Sequence, residues 1–304
     1  MKRRFNFAVL IALAFFVAIA GKPAQAQQDN KYLDFFMGAE IGLSDMNYHR
    51  QYDLVISLMP GAKWYLGNHW MVAGGAYIPL VNQIGGRFDG IRVLVLDVSK
   101  EMKLGPLHTK ASAGLFGSER YGVDLKMFLP VAQWFAFEAQ AGLTGRCSFR
   151  GGNSGHELVM SDMGRFSCTL GGDIYLSRWN TQLRGTVGKY LYRDYGMECE
   201  AIRHFKHTSI SIYANWNHVL NFDGGFKVVA MIPPYKRTHR KVNFRPMSNF
   251  TYDYTARNHY YTNIMYRTDP EENIRDGWFS RDLLQWGSHT MEPDFIYIEK
   301  EATK

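Results

Sequence analysis

The chain of 304 residues lacks the features that define several common classes of protein. Its three cysteines, Cys147, Cys168 and Cys199, form an odd set without metal-ligand spacing, although a single Cys147–Cys168 bond across one loop stays open. After residue 26 it has no apolar run long enough for a transmembrane helix. It has no Walker sequence, no HExxH and no dinucleotide-binding glycine pattern, so we expect no cofactor and no metal.

The net positive charge of the chain is also small when the N-terminal 26 residues are left out of the count. The first 26 residues hold four of the 35 Lys and Arg residues and no acidic residue, which leaves 31 basic against 28 acidic side chains. This balance gives no support to nucleic-acid binding. The same segment has a basic start, an apolar run and the small-x-small sequence Ala24-Gln25-Ala26. It is therefore predicted to be a signal peptide, cleaved after Ala26, of an exported protein.

Alternation of apolar and polar residues fills most of the remaining chain. In RFSCTLGGDIYLSR, residues 165–178, apolar or small residues alternate with mostly polar ones, as in a strand with two different faces. Strands that cross a membrane need about 9–11 residues of this pattern. With 15% aromatic residues, the exported chain is expected to be either a secreted all-β protein or an outer-membrane barrel.

The connections between the predicted strands favour the barrel. We place strands near residues 32–44, 52–66, 69–82, 90–103, 107–116, 121–130, 134–147, 165–178, 181–194, 197–206, 207–217 and 224–233. Short connections alternate with longer ones, as in bacterial barrels, and an even count returns both ends to the periplasm. The predicted fold class is all-β, a transmembrane antiparallel β-barrel of about twelve strands, within a range of ten to fourteen, over residues 27–233.

Ionisable residues on the polar faces indicate which face looks inward. They are Asp34, Glu40, Asp53, Lys63, Lys110, Asp124, Lys126, Glu138, Asp173, Arg184, Glu198 and Glu200. In the core of a sandwich each would need a partner, at a cost of several kcal/mol, whereas a lumen leaves them hydrated. Trp64, Trp70, Trp134 and Trp179 fall at the short-turn ends, and Tyr32 at the chain start, where an interfacial aromatic belt would lie. We therefore expect the apolar faces to contact lipid.

The segment 234–304 differs from the rest because prolines and a basic run interrupt the alternation. We expect a mostly irregular periplasmic tail that holds at most one further hairpin and a short helix, with a fourteen-strand barrel as the competing count. Four basic residues are candidates for contact with an anionic lipid head group or an acidic polymer, with a solvated basic edge as the alternative. These residues are Lys236, Arg237, Arg240 and Lys241.

A second candidate site lies on the predicted lumen wall. Tyr190, Tyr192 and Asp194 are expected on one strand face, Glu198 and Glu200 on the next, and Arg184 is expected to pair with them. Aromatic and charged side chains of this kind suit hydroxyl-rich ligands such as glycans. The alternative is a charge network that stiffens the wall.

Several motifs in the second half resemble the YjbH-like family of outer-membrane proteins, which are linked to exopolysaccharide and capsule production. The matching pieces are GLFGSERYGVDLKMFLP (114–130), VGKYLYRDYGMECEAIRHF (187–205), GGFKVVAMIPP (224–234) and FRPMSNFTYDYTAR (244–257). The motif positions are Glu119, Arg120, Tyr121, Gly122, Gly188 and Arg203. Family members are often longer, and Val123 stands where a second glycine is usual. The resemblance implies a β-barrel that takes part in polysaccharide secretion.

The sequence therefore predicts a non-enzymatic outer-membrane barrel with a part in producing or exporting a surface polysaccharide. Its expected partners are outer-membrane lipid, polysaccharide and periplasmic envelope proteins, and no nucleic acid. One alternative is a structural or small-solute channel barrel without a glycan role. Another is an outer-membrane hydrolase that modifies lipid.

Overall fold

A computed structural model describes residues 31–45, 53–83, 91–117, 120–152, 155–205, 208–219, 221–231, 241–247, 249–256 and 265–268. Apart from a 3-10 turn at Ser177–Trp179, the elements in these ranges are β-strands. They are β1 (Tyr32–Asp45), β2 (Asp53–Gly67), β3 (Trp70–Asn82), β4 (Arg92–Leu104), β5 (Leu107–Phe116), β6 (Arg120–Ala132), β7 (Phe135–Gly152), β8 (Gly155–Met160), β9 (Arg165–Leu176), β10 (Thr181–Lys189), β11 (Tyr195–His204), β12 (Thr208–Asn217), β13 (Asn221–Met231), β14 (Val242–Pro246) and β15 (Asn249–Ala256). Within the described ranges, none of the helical structure has the length and apolar character needed to cross a membrane.

The strands form one closed ring. From β1 to β13 each ring strand pairs antiparallel with the next, and β9 follows β7 directly because β8 pairs only with the end of β7. β14 and β15 run parallel to the first and second halves of β1, and β15 also pairs with β13. Counted as one interrupted strand, β14 and β15 complete a closed barrel of thirteen strands.

The predicted all-β barrel is thus confirmed, with a strand count inside the expected range. The expectation that an even count returns both ends of the barrel to the same side is wrong. The count is odd, and the last strand ends beside Asp45, at the opposite end of the barrel from Tyr32, where β1 begins. The thirteenth strand comes from the segment that we expected to be a tail. This strand was not predicted from the sequence because it contains Pro246. Proline cannot donate a main-chain hydrogen bond to a sheet and normally argues against a strand. In the barrel, Pro246 lies at the break between β14 and β15, and the following Met247 N–H donates to the Met37 carbonyl oxygen at 2.9 Å.

Side chains alternate between the two faces of the wall, as the sequence pattern predicts. On β12, Ile210 and Ile212 are exposed on the outer face, whereas Ser209 and Ser211 are buried inside. On β9, Leu170 and Ile174 point outward, and Asp173 points inward. The tryptophans Trp64, Trp134 and Trp179 are exposed near the short turns.

The interior holds an apolar cluster, although buried charged side chains such as Asp34, Lys63 and Lys110 line the same part of the wall. Phe36, Met59, Val95, Phe116 and Met247 pack together inside the part of the wall formed by β1 to β5 and β14. The inward residues of β7, β9, β10 and β11 are instead mostly polar or charged. Side chains therefore fill part of the lumen, as expected for a barrel of this size.

The two ends of the barrel differ in their connections. At one end the strands are joined by short turns, such as residues 68–69, 105–106 and 133–134. We call the opposite end the long-loop end. There β7 extends beyond the ring and pairs with β8, so the longest predicted loop contains a hairpin.

One pair of inward-facing glycines allows neighbouring strands to approach each other closely. Gly114 and Gly122 face each other across β5 and β6 with φ values of 158° and 154°. A Cβ atom at Gly122 would collide with the Leu143 carbonyl oxygen of β7, whereas a Cβ atom at Gly185 would meet nothing within 4 Å.

We therefore expect Gly122→Ala to lower the free energy of unfolding by about 1–3 kcal/mol, because alanine would be strained at this φ and would crowd β7. Gly185→Ala is the matched control and should change it by less than about 0.5 kcal/mol. Urea unfolding of the folded barrel measures both. Equal effects of the two variants would contradict the interpretation of the backbone at Gly122.

Candidate functional site

Arg184 is the centre of a charge cluster on the inner wall. β10 places it directly between Asp173 of β9 and Glu200 of β11. Its Nε and Nη2 atoms donate to Glu138 Oε1 at 3.0 and 2.7 Å, and Nη2 also donates to Glu138 Oε2 at 2.5 Å. The guanidinium thus holds both oxygens of one carboxylate, which is the strong geometry of this ion pair.

A glycine lets this ion pair form across a strand. Glu138 lies on β7 and Arg184 on β10, so the two side chains meet over β9. The β9 residue opposite Glu138 is Gly171, and a Cβ atom there would come within 2.9 Å of Glu138 Cγ. The absence of a side chain at Gly171 therefore leaves the space through which Arg184 reaches Glu138.

Polar contacts continue from this cluster toward the short-turn end. Arg184 Nε lies 3.8 Å from Asp173 Oδ1, which also accepts a hydrogen bond from Gln182 Nε2 at 2.6 Å. Gln182 Oε1 lies 3.0 Å from His204 Nε2, and His204 Nδ1 lies 3.0 Å from Ser209 Oγ. The cluster is therefore one end of a chain of hydrogen-bonded side chains on the inner surface.

The structure brings together only part of the predicted glycan site. Arg184, Glu198 and Glu200 share the inner wall of β10 and β11, as expected. Tyr190, Tyr192 and Asp194 do not form a strand face, because β10 ends at Lys189.

These three residues lie in the loop between β10 and β11. The Tyr190 N–H donates to the Asp194 carbonyl oxygen at 2.8 Å, and Arg193 between them has a φ of 68°. This tight turn buries Tyr190 and Asp194 and leaves Tyr192 exposed. The predicted strand ran through Asp194 and so missed the turn, although Tyr190-Leu191-Tyr192 followed by Arg193-Asp194 breaks the alternation.

Sequence reasoning missed two parts of the site. Glu138 and Asp173 were expected on the polar wall, but nothing in the strand pattern shows that Arg184 reaches across β9 to Glu138. Met265–Thr268, from the expected tail, also lie against the inner wall, where Gln140 Nε2 donates to the Thr268 carbonyl oxygen. Pairing the predicted neighbouring strands residue by residue would have placed Asp173, Arg184 and Glu200 side by side across β9, β10 and β11.

The motif positions of the family resemblance lie apart from one another. Arg120 is buried and donates to Thr144 Oγ1 at 2.9 Å and to the Thr144 carbonyl oxygen at 3.1 Å. Tyr121 points outward, and its hydroxyl donates to the Ser161 carbonyl oxygen at 2.6 Å. These contacts attach β6 to β7 and to the segment after β8.

The two later motif positions lie on β10 and β11. Gly188 faces inward at the long-loop end, and a Cβ there would come within 2.6 Å of the Cys168 carbonyl oxygen. Arg203 is exposed on the outer face, and its Nη1 donates to Thr181 Oγ1 at 3.2 Å. Glu119 lies outside the described residues.

The predicted basic site is described only at its last residue. Lys236, Arg237 and Arg240 lie outside the described residues. Lys241 is exposed, and its carbonyl oxygen accepts a hydrogen bond from the Leu33 N–H at 2.8 Å. It therefore lies at the short-turn end, beside the start of β1.

The cysteines do not pair. Cys147, Cys168 and Cys199 are all free thiols, so the open Cys147–Cys168 alternative is not formed. In the described part of the chain, no group of three His, Cys, Asp or Glu side chains is arranged to hold a metal ion.

Comparison of the chain with protein-family models gives no match, and comparison with curated proteins gives no match either.

We expect Arg184→Ala to lower the free energy of unfolding by about 3 kcal/mol, because it leaves the carboxylates of Glu138 and Asp173 in the interior without their cation. Arg184→Lys should cost less, since it keeps the charge but not the two-pronged contact. Arg203→Ala, which removes an exposed arginine, should change it by less than about 0.5 kcal/mol. Urea unfolding tests all three, and equal losses for Arg184→Ala and Arg203→Ala would contradict a central role for Arg184.

Proposed function

We propose that the protein is a non-enzymatic barrel of the outer membrane that takes part in producing or exporting a surface polysaccharide. The observation that carries the proposal is a closed sheet with an apolar outer face and a charged inner wall. A closed ring satisfies every wall strand's hydrogen bonds, which is the condition for a sheet to cross a bilayer. The predicted signal peptide, residues 1–26, which lies outside the described residues, would direct such a chain to the envelope.

The outer face supports a lipid environment. Large apolar side chains are exposed around the ring, and they include Met37, Val93, Leu96, Val98, Phe137, Leu170, Leu183, Val187, Ile210, Ile212, Phe222 and Phe244. A soluble monomer rarely exposes so much contiguous apolar surface. Burial of this surface in acyl chains would remove it from water.

A groove on the same face has the chemistry of an acyl-chain contact. It measures about 510 Å3 and lies where Gly172 and Gly185 leave the wall without side chains. Leu129, Phe137 and Leu170 are among the apolar residues that line it. Its shape and composition support the lipid part of the proposal.

The inner wall supports the polysaccharide part. Glu198 and Glu200 face the lumen beside Arg184, with Tyr213 on the neighbouring strand, and Tyr213 stands directly opposite Glu200. Carboxylate, guanidinium and phenol groups offer hydrogen bonds and stacking surfaces to a hydroxyl-rich chain. Together with the family resemblance, this favours a glycan over a small apolar solute.

The two alternative functions require different features of the inner wall. A structural or small-solute barrel is favoured by the pairing of Arg184 with Glu138, which already satisfies part of the wall's charge. A lipid hydrolase would need a reachable nucleophile next to a base. Ser209 Oγ lies 3.0 Å from His204 Nδ1, but the serine is 1% exposed, so the pair gives little support to hydrolysis.

We expect Ile212→Arg to lower the free energy of unfolding of the barrel in lipid vesicles by about 2–4 kcal/mol, because Ile212 is 68% exposed in the middle of β12 and would face hydrocarbon. Val219→Arg, in the turn after β12, is the control and should cost about 0–1 kcal/mol. In parallel, the wild-type protein should be recovered in the outer-membrane fraction, and its band on a detergent gel should shift when the sample is boiled. A soluble periplasmic protein that tolerates Ile212→Arg would overturn the membrane location.

For the polysaccharide role, we expect a deletion strain to lose its surface polysaccharide while its outer membrane stays intact. The wild-type gene should restore the polysaccharide, whereas the double variant Glu198→Gln and Glu200→Gln should not, because it removes two wall charges with little change in shape. Lys103→Gln, at an exposed position by a short turn, is the control and should restore it. Heat-shifted mobility confirms that each variant folds.

Unchanged polysaccharide in the deletion strain, with lowered permeability to small solutes, would favour the channel alternative. If the Glu198 and Glu200 double variant restores the polysaccharide, these two wall charges are not needed for polysaccharide production.

A further inference from the structure

Residues Met265–Thr268 lie against the inside of the barrel at the long-loop end. Three main-chain hydrogen bonds hold them there. The Met265 N–H donates to Asp194 Oδ2 at 2.7 Å, the Leu191 N–H donates to the Tyr266 carbonyl oxygen at 2.9 Å, and Gln140 Nε2 donates to the Thr268 carbonyl oxygen. Because these bonds use only main-chain atoms of the segment, they do not depend on its side chains.

The side chains of the segment add contacts at separate points of the wall. The Tyr266 hydroxyl donates to the Gly117 carbonyl oxygen at 2.9 Å, at the connection between β5 and β6. Asp194 and Leu191 belong instead to the connection between β10 and β11, with β6, β7, β9 and β10 between the two connections. The segment therefore spans part of the barrel mouth.

Arg267 brings a positive charge to the acidic part of the wall. The adjacent Thr268 is bound by Gln140, which lies two residues from Glu138 on the same face of β7, so Arg267 is held in the part of the interior where Glu138 and Glu198 attract a cation. Glu138 already holds Arg184, and Glu198 lies on the strand next to Arg184. The segment thus adds a second guanidinium to a cluster that contains the carboxylates of Glu138, Asp173, Glu198 and Glu200.

The wall is shaped to receive the segment. A Cβ atom at Gly196 would come within 3.1 Å of Met265 Sδ, and a Cβ atom at Gly142 would come within 3.3 Å of Thr268 Cβ. Asn217 Nδ2 donates to Asp194 Oδ2 at 2.8 Å and so orients the carboxylate that receives Met265. Thr268 is 0% exposed, so the end of the segment is fully enclosed.

We infer that the long-loop mouth contains a binding site for a short peptide that carries a guanidinium group, and that Met265–Thr268 of this chain occupies it. Asp194, Leu191 and Gln140 bind the main chain, and Glu138 and Glu198 attract the cation. The docked segment narrows the mouth, and its release opens the route to the charged wall. The docking stands by itself, whereas its role as a closure rests on the proposed membrane location.

A disulfide tests the docking in the full-length protein. The double variant Gly142→Cys and Thr268→Cys places two Cβ atoms near the spacing of a natural disulfide, which averages about 3.8 Å. After mild oxidation and trypsin digestion, mass spectrometry should find peptide 127–146 joined to peptide 268–275, neither of which contains a native cysteine. Each single variant is a control and should not give this product. Absence of the joined peptide in a folded double variant would overturn the docking.

Conductance in planar bilayers tests the closure. Asp194→Ala and Arg267→Glu should each shift the balance from docked to undocked by about tenfold or more, because the first removes the charge-assisted hydrogen bond to the Met265 N–H and the second reverses the charge that the acidic wall attracts. Both should raise the conductance above that of the wild type. Asp162→Ala and Arg178→Glu alter exposed residues of the same types and should leave it unchanged. Unchanged conductance of both Asp194→Ala and Arg267→Glu in barrels that insert and shift on heating would overturn the closure.

The outcomes separate this inference from the proposed function. If the protein does not insert into membranes but the disulfide forms, the docking stands, and both the closure and the membrane location fall. If the protein inserts but no disulfide forms, the membrane location stands and the docking falls.

Discussion

Closure of an odd number of strands is the constraint on which the rest of the structure depends. In a ring of neighbours that alternate in direction, thirteen strands leave the first and last pointing the same way. The parallel pairing of β1 with β14 and β15 is the consequence. Its register shifts by two residues between Leu33–Val242 and Ile41–Tyr252, so the last strand bends at the interruption near Pro246. Without this pair, β1 and β13 would each have an unpaired edge, which is prone to aggregation.

A closed wall of this kind gives every strand an inner and an outer face, and the two faces have different chemistry. Apolar side chains are exposed around the ring, whereas the inner face carries an apolar cluster around Phe36 and Met247 among polar residues and, on the side of β7 to β11, a charged cluster around Arg184. Ion pairs on the inner face are partly shielded from water, and breaking one costs more than it would at an open surface. The charged side of the lumen is also the side that receives Met265–Thr268.

The fold was predictable from the sequence because one simple pattern determines it. Alternation across residues 165–176 and 208–217 specifies which side chains face inward, and the structure agrees. The last strand was not predictable in this way, since Pro246 interrupts it and its partner is distant in sequence. The Asp173–Arg184–Glu200 row follows from pairing neighbouring strands, but the bond to Glu138 depends on the space above Gly171. Nothing local to Met265–Thr268 indicates that these residues return to the wall.

The pairing of the two ends also bears on the order of events in folding. Asn243 Nδ2 donates to Asp34 Oδ1 at 3.0 Å across 209 positions of sequence. All other neighbours in the ring are close along the chain, so hairpins can form early and locally. The joint between Asp34 and Asn243 must wait until the last strand is available, and contacts over such separations form slowly. An unfinished barrel would therefore expose its two edges for an extended period, which makes assistance by a chaperone or an assembly catalyst valuable during biogenesis.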